Sequence, residues 1–190
     1  ILSGVGGQGI LSIATVIGWA ALDQNLHLKQ AEVHGMSQRG GDVQSNLRIS
    51  TERIWSDLIP KGECDLILSL EPMEALRYLP WLSKGGWIVT NSTPFVNIPN
   101  YPPVEEITAE LQKIGNVITL DCDEIAKQTG SPRSANMVLL GASAAVLEIL
   151  DPEKLREGIT NGFSRKGGKI VEMNIAAFNA GLEKKKNFSK

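Results

Sequence analysis

The chain has 190 residues, 42% hydrophobic and 21% charged, which suits one globular domain and excludes disorder as its main state. Nineteen basic against 21 acidic residues leave a formal charge of −2, so no broad nucleic-acid surface is expected. Cys64 and Cys122 form no CxxC pair, and no run of 18 apolar residues occurs, so neither a disulfide framework, a cysteine-built metal centre nor a membrane span is expected. The cysteine usage suits a reducing, cytoplasmic setting.

Strand and helix signals alternate along the chain. Residues 1–3 read as the end of a strand entered partway, followed by a glycine-rich turn. Residues 10–22 carry apolar side chains at Ile10, Ile13, Ala14, Ile17 and Ala21, the spacing of a helix. Leu11, Val16 and Trp19 widen that face, which predicts cover on more than one side. Residues 28–33 form a second strand. Val43, Ser45, Leu47 and Ile49 alternate with Gln44, Asn46 and Arg48, the period of a half-exposed strand. A doubly covered parallel strand would be less polar, so an antiparallel or edge section is expected here.

Leu66, Ile67 and Leu68 mark a buried strand, and Pro72 suits the first turn of a helix that stops at Pro80. Gly85 and Gly86 are expected to turn the chain into a strand over residues 87–91. A proline-rich loop covers residues 93–103, a helix residues 104–114, and a strand residues 117–120. A helical turn is expected at residues 123–128. The longest helix is expected to begin at Pro132 or Ser134 and run to Leu150, with residues 137–147 enclosed. Pro152 opens a further helix, and a last one covers residues 169–182. The reading is a single three-layer α/β domain over residues 1–182, Rossmann-like with a mixed sheet, and a loose tail at 183–190.

Gly4, Gly6 and Gly9 match G-x-G-x-x-G, with Gly7 and Gln8 between them. Such a loop lets a pyrophosphate approach the backbone and offers it the free N–H groups of the next helix. Glu32 stands where a ribose-binding acid would be, so a stand-alone dinucleotide-binding oxidoreductase is one reading. The plainer one is close packing of helix on strand. The loop is no Walker motif, since no Gly-Lys-Ser/Thr follows.

The second polar loop is His34, Gly35, Met36, Ser37, Gln38, Arg39, Gly40 and Gly41, expected beyond the end of a strand, where α/β sheets bind ligands. It is no nucleophile elbow, because Arg39 stands where glycine is required, and neither histidine fits a triad. Arg39, flanked by glycines, suits an anion or a partner carboxylate.

Gly4–Gly9 with its helix, the run from Lys29 to Gly41, residues 68–72 and residues 136–142 together resemble the gamma domain of 2-oxoacid:ferredoxin oxidoreductases, most closely its indolepyruvate form, a separate beta subunit. The resemblance covers residues 5–145. It implies a subunit of a complex that converts a 2-oxoacid and coenzyme A to an acyl-CoA and CO2 and passes electrons to ferredoxin. It also implies that thiamine diphosphate, Mg2+ and iron–sulfur clusters sit on the catalytic partner, with no cofactor in this chain. The glycine loop and residues 34–41 would then face that partner, with no catalytic residue assigned. The remaining alternative is an assembly module without a ligand of its own.

Overall fold

The computed structural model describes residues 1–34, 40–96 and 98–185. Six strands form one sheet: β1 (Leu2–Val5), β2 (His27–His34), β3 (Asp42–Ser50), β4 (Cys64–Ser69), β5 (Leu82–Asn91) and β6 (Val117–Leu120). Their order is β2-β3-β1-β4-β5-β6. β1, β4, β5 and β6 run parallel, while β3 is antiparallel to both β1 and β2. The mixed sheet expected from the polar alternation in β3 is therefore present, with the polar hairpin at one edge. Ile67, Leu68, Ile88 and Val89 are fully buried in the adjacent strands β4 and β5, as their continuous apolar runs require.

The helices are α1 (Ile10–Asp23), α2 (Pro72–Arg77), α3 (Val104–Gln112), α4 (Cys122–Gln128), α5 (Ala135–Ser143), α6 (Pro152–Phe163) and α7 (Gly168–Lys185). α1, α4, α5, α6 and α7 contribute to one core cluster, and α2 and α3 pack with Tyr78 into a second cluster across the sheet. The result is three layers.

Two local expectations change. Gly85 and Gly86 do not precede the strand but lie inside β5. Cys64 faces Leu82 while Leu66 faces Trp87, so residues 83–86 are accommodated by a break in register. The helix expected to reach Leu150 ends at Ser143. There the Ser143 hydroxyl donates to the carbonyl of Leu140 at 2.8 Å, and the chain leaves through turns. The longest described helix is instead α7, which continues past residue 182 to Lys185.

The enclosure expected over residues 137–147 holds as far as Ala144, while Ala145, Val146 and Leu147, in the turns beyond α5, are only partly buried. The helix is apolar all round because the sheet lies beneath it and α7 above. Backbone meets backbone at that upper contact. A Cβ added to Gly141 would stand 1.9 Å from the carbonyl oxygen of Phe178, and one added to Gly181 would stand 2.0 Å from that of Val138. Only glycine permits this approach.

Candidate functional site

α1 leaves β1 toward one face of the sheet and α2 leaves β4 toward the other. The carboxyl ends of these neighbouring strands thus form the switch point where an open α/β sheet has its crevice. In this protein a side chain spans the crevice. Gln8 accepts from the Val5 amide through Oε1 at 2.7 Å and donates through Nε2 to the carbonyl of Leu70 at 3.1 Å. The glycine loop is thereby tied back on its own strand and across to β4.

The glycines make room for this protein's own groups. A Cβ on Gly4 would lie 2.8 Å from Gln8 Oε1. Gly9, at a φ of 89°, begins α1, and a Cβ there would lie 2.6 Å from the Asn136 amide nitrogen. That amide donates to the carbonyl of Gly9 at 3.2 Å, so α5 braces the start of α1. Above Gly7 a Cβ would meet nothing within 4 Å, which leaves this part of the loop open to an incoming group.

The polar loop connects β2 to β3 as a hairpin, with His34 paired to Val43. Its far end is joined to the glycine loop, since the Gly6 amide donates to the carbonyl of Gly41 at 2.8 Å. The structure therefore brings together Gly4, Gly6, Gly7, Gln8, Gly9 and Gly41, with Gly40 next to them in the chain. Gly35, Met36, Ser37, Gln38 and Arg39 lie outside the described residues.

Glu32 does not stand where a ribose-binding acid would. It is on β2, opposite Ser45, and β3 separates that strand from β1. Two inter-strand spacings, about 10 Å, lie between β2 and the glycine strand. With Gln8 across the crevice, the dinucleotide arrangement is missing two of its parts.

No site role was expected for the acid that follows β4, which entered the sequence pattern only within residues 68–72. Glu71 is fully buried, and its carboxylate joins three segments. Oε2 caps α2 by accepting from the Glu74 amide at 2.8 Å. Oε1 accepts from the Tyr101 hydroxyl and, at 3.4 Å, from the Phe95 amide. Burial, and then the bond to Glu71, holds the Tyr101 hydroxyl well above its ordinary range. One turn on, Glu74 pairs with Arg77 at 2.7 and 3.2 Å, and burial pushes its carboxyl up despite that partner. An acid directly after an apolar strand and before Pro72 was the available signal, because that is the place of a helix cap.

A cavity of about 600 Å³ opens beside the glycine loop, lined among others by Gly7, Gln8, Asn136, Ser134, Arg133 and Lys166. Its mixture of amides, hydroxyls and two cations suits a polar, anionic group. The two cysteines lie apart, Cys64 in the cluster under α2 and Cys122 in the cluster under α5. Burial, then Asp123 and Asp121, pushes the Cys122 thiol up, which suits an inert core residue. Among the described residues no group of three or more His, Cys, Asp or Glu could hold a metal ion. Cys64 and Cys122, buried in separate clusters, do not make a ligand set for an iron–sulfur cluster. No described helix is long and apolar enough to cross a membrane.

A mixed, doubly covered α/β sheet with a stapled glycine loop defines the class; comparison with known proteins gives the family. Residues 1–184 match the pyruvate ferredoxin/flavodoxin oxidoreductase family, and the chain belongs to it. It is 36% identical to the indolepyruvate oxidoreductase subunit IorB of Pyrococcus horikoshii, over 96% of this chain and 93% of that one. It is 31% identical to the ketoisovalerate oxidoreductase subunit VorA of Methanothermobacter thermautotrophicus, over 96% of this chain but 35% of that longer one. The gamma subunit of a keto/oxoacid ferredoxin oxidoreductase from Geobacter sulfurreducens PCA has the same fold. Its TM-score is 0.70 at 26% identity, covering 98% of this chain and 96% of that one.

Proposed function

We propose that this chain is the cofactor-free subunit of a 2-oxoacid:ferredoxin oxidoreductase acting on indolepyruvate-type substrates in the cytoplasm. The observation that carries the reading is its near full-length likeness to the separate indolepyruvate oxidoreductase subunit. In this reading residues 1–182 form the gamma-type domain. Thiamine diphosphate, Mg2+ and iron–sulfur clusters belong to the catalytic partner and supply decarboxylation and electron transfer to ferredoxin.

The contribution of this chain is shape and polarity. A rigid sheet end, fixed by Gln8 and Asn136, covers the approach to the partner's site and keeps bulk water from it. The open part of the loop at Gly7, and residues 34–41, admit the coenzyme A and 2-oxoacid. Arg39 offers a fixed charge with directed donors to a coenzyme phosphate or a carboxylate.

The test is reconstitution with the catalytic subunit. The isolated chain, given 2-oxoacid, coenzyme A, thiamine diphosphate and ferredoxin, is expected to give no turnover; robust turnover by the chain alone would refute the reading. Arg39→Ala should leave the melting curve intact. It should either weaken subunit affinity, a partner contact, or raise KM for coenzyme A or 2-oxoacid, a ligand contact. If folding, affinity and kinetics all match wild type at constant salt, the loop has no such role. Tight binding of NAD or FAD by the purified chain would favour the dinucleotide reading, against which Gln8 and the position of Glu32 stand.

A further inference from the structure

Between β5 and α3 the chain presents three large apolar side chains within four positions. Phe95, Val96 and Ile98 are 45, 66 and 37% exposed. Such a cluster is costly to leave in water, and the protein holds part of it in place. The Phe95 amide is bonded by the carboxylate of Glu71, and the same carboxylate takes the Tyr101 hydroxyl on the return side of the loop. A buried carboxylate is itself expensive unless its bonds are well made. This loop is therefore pinned at both ends rather than tethered only by chain connectivity. It also lies on the functional end of the sheet: Glu71 follows Leu70, whose carbonyl receives Gln8 from the glycine loop. Trp55, 78% exposed, is different. It follows β3 at the opposite end of the sheet, and the Arg53 guanidinium covers its ring at 4.2 Å.

We propose that Phe95, Val96 and Ile98 form a docking surface for the catalytic subunit, and that Glu71 and Tyr101 are positioning residues that present it. The inference rests on the subunit reading above. The occupant follows from the relatives. The same domain is one third of the VorA chain, so there it is covalently part of a larger oxidoreductase polypeptide, whereas in IorB it makes up most of a separate subunit. Where the covalent link is absent, a non-covalent contact must hold the domain against the rest of the enzyme. An exposed apolar stretch that follows β5, at the same end of the parallel strands as the glycine loop, is fitted for it, as interface cores are apolar with a polar rim.

The experiment titrates the chain against the purified catalytic subunit at constant salt. Val96→Asp and Ile98→Asp alter exposed positions and should melt within a few degrees of wild type. Their Kd for the catalytic subunit should rise roughly tenfold or more, as for truncated interface anchors. Trp55→Asp should stay within about twofold of wild type. Tyr101→Phe keeps the ring and removes the hydroxyl. It should speed amide exchange at Phe95, raise Kd by a smaller factor, and restore full kcat at saturating subunit. A wild-type complex whose Kd is unmoved by both aspartates overturns the docking surface and leaves the subunit reading standing. Absence of any wild-type complex overturns both. Loss of self-association in the aspartate variants, with the hetero-complex intact, assigns the surface to a second copy and also overturns the proposal. Faster exchange in Tyr101→Phe with unchanged Kd overturns the positioning role.

Discussion

The two faces of the sheet are packed by different means. On the face of α1, α5, α6 and α7 the contacts are apolar side chains and bare backbone, with Gly141 and Gly181 letting two helices touch. On the face of α2 and α3 the core is smaller, and at its edge it holds buried Glu71 and Glu74, the Arg77 partner and two aromatic hydroxyls with raised affinity for their protons. Apolar packing is non-directional and yields stability in proportion to area. A buried carboxylate yields little net stability, but its lone pairs specify where amides and hydroxyls must stand. The first face therefore supports the fold, and the second positions the loops at the end of the sheet.

Substitutions can break this contrast. Gly141→Ala drives a Cβ into the Phe178 carbonyl, a backbone atom that cannot swing aside. It should cost about 3 kcal/mol or more in chemical unfolding, the upper end for overpacking. A change near zero would mean that α5 and α7 separate freely. Leu140→Ala, at a position with no exposure, should cost about 2 to 5 kcal/mol. A loss under about 1 kcal/mol would mean that the region collapses to fill the cavity.

On the other face the effects should be smaller and more local. Glu71→Gln keeps the shape but loses the charge and one acceptor, and should cost about 1 to 2 kcal/mol. Amide exchange at Phe95 should change more than global stability does. Equal losses everywhere would make Glu71 an ordinary core residue.

The smallest expected effect depends on pH. Glu74 has its carboxyl pKa raised, chiefly by burial, so the folded state holds the proton more tightly than the unfolded chain. Its contribution is fully present below the unfolded value and is lost as pH rises through the folded one. The stability of wild type minus that of Glu74→Gln should therefore fall as pH increases from about 4 to 7 in urea unfolding. A rise would mean that pairing with Arg77 outweighs burial.

Much of this protein was written in local pattern. The period of two in β3 announced a half-exposed strand beside antiparallel neighbours, and the apolar run of β4 announced a covered one. Pro72 marked the start of α2, and the breadth of apolar residues in α5 announced its enclosure. Each signal reflects chemistry among residues close in the chain, which is why it survives in sequence alone.

Tertiary structure decided the rest. The end of α5 at Ser143 and the break in register around Gly85 and Gly86 depend on what the neighbouring segments need. G-x-G-x-x-G spacing is the same whether a pyrophosphate or a glutamine fills the space above it. Only the placement of Leu70, 62 residues from Gln8, and of Asn136, 127 from Gly9, shows that the protein fills much of it itself. Glu32 has the right distance in sequence for a ribose, but β3 inserts between its strand and β1. Glu71 reads locally as a helix cap, and its hold on Phe95 and Tyr101 appears only when β4, α2 and the loop before α3 meet. Sequence spacing records which groups are available. Contacts made across tens of residues determine which partners those groups find.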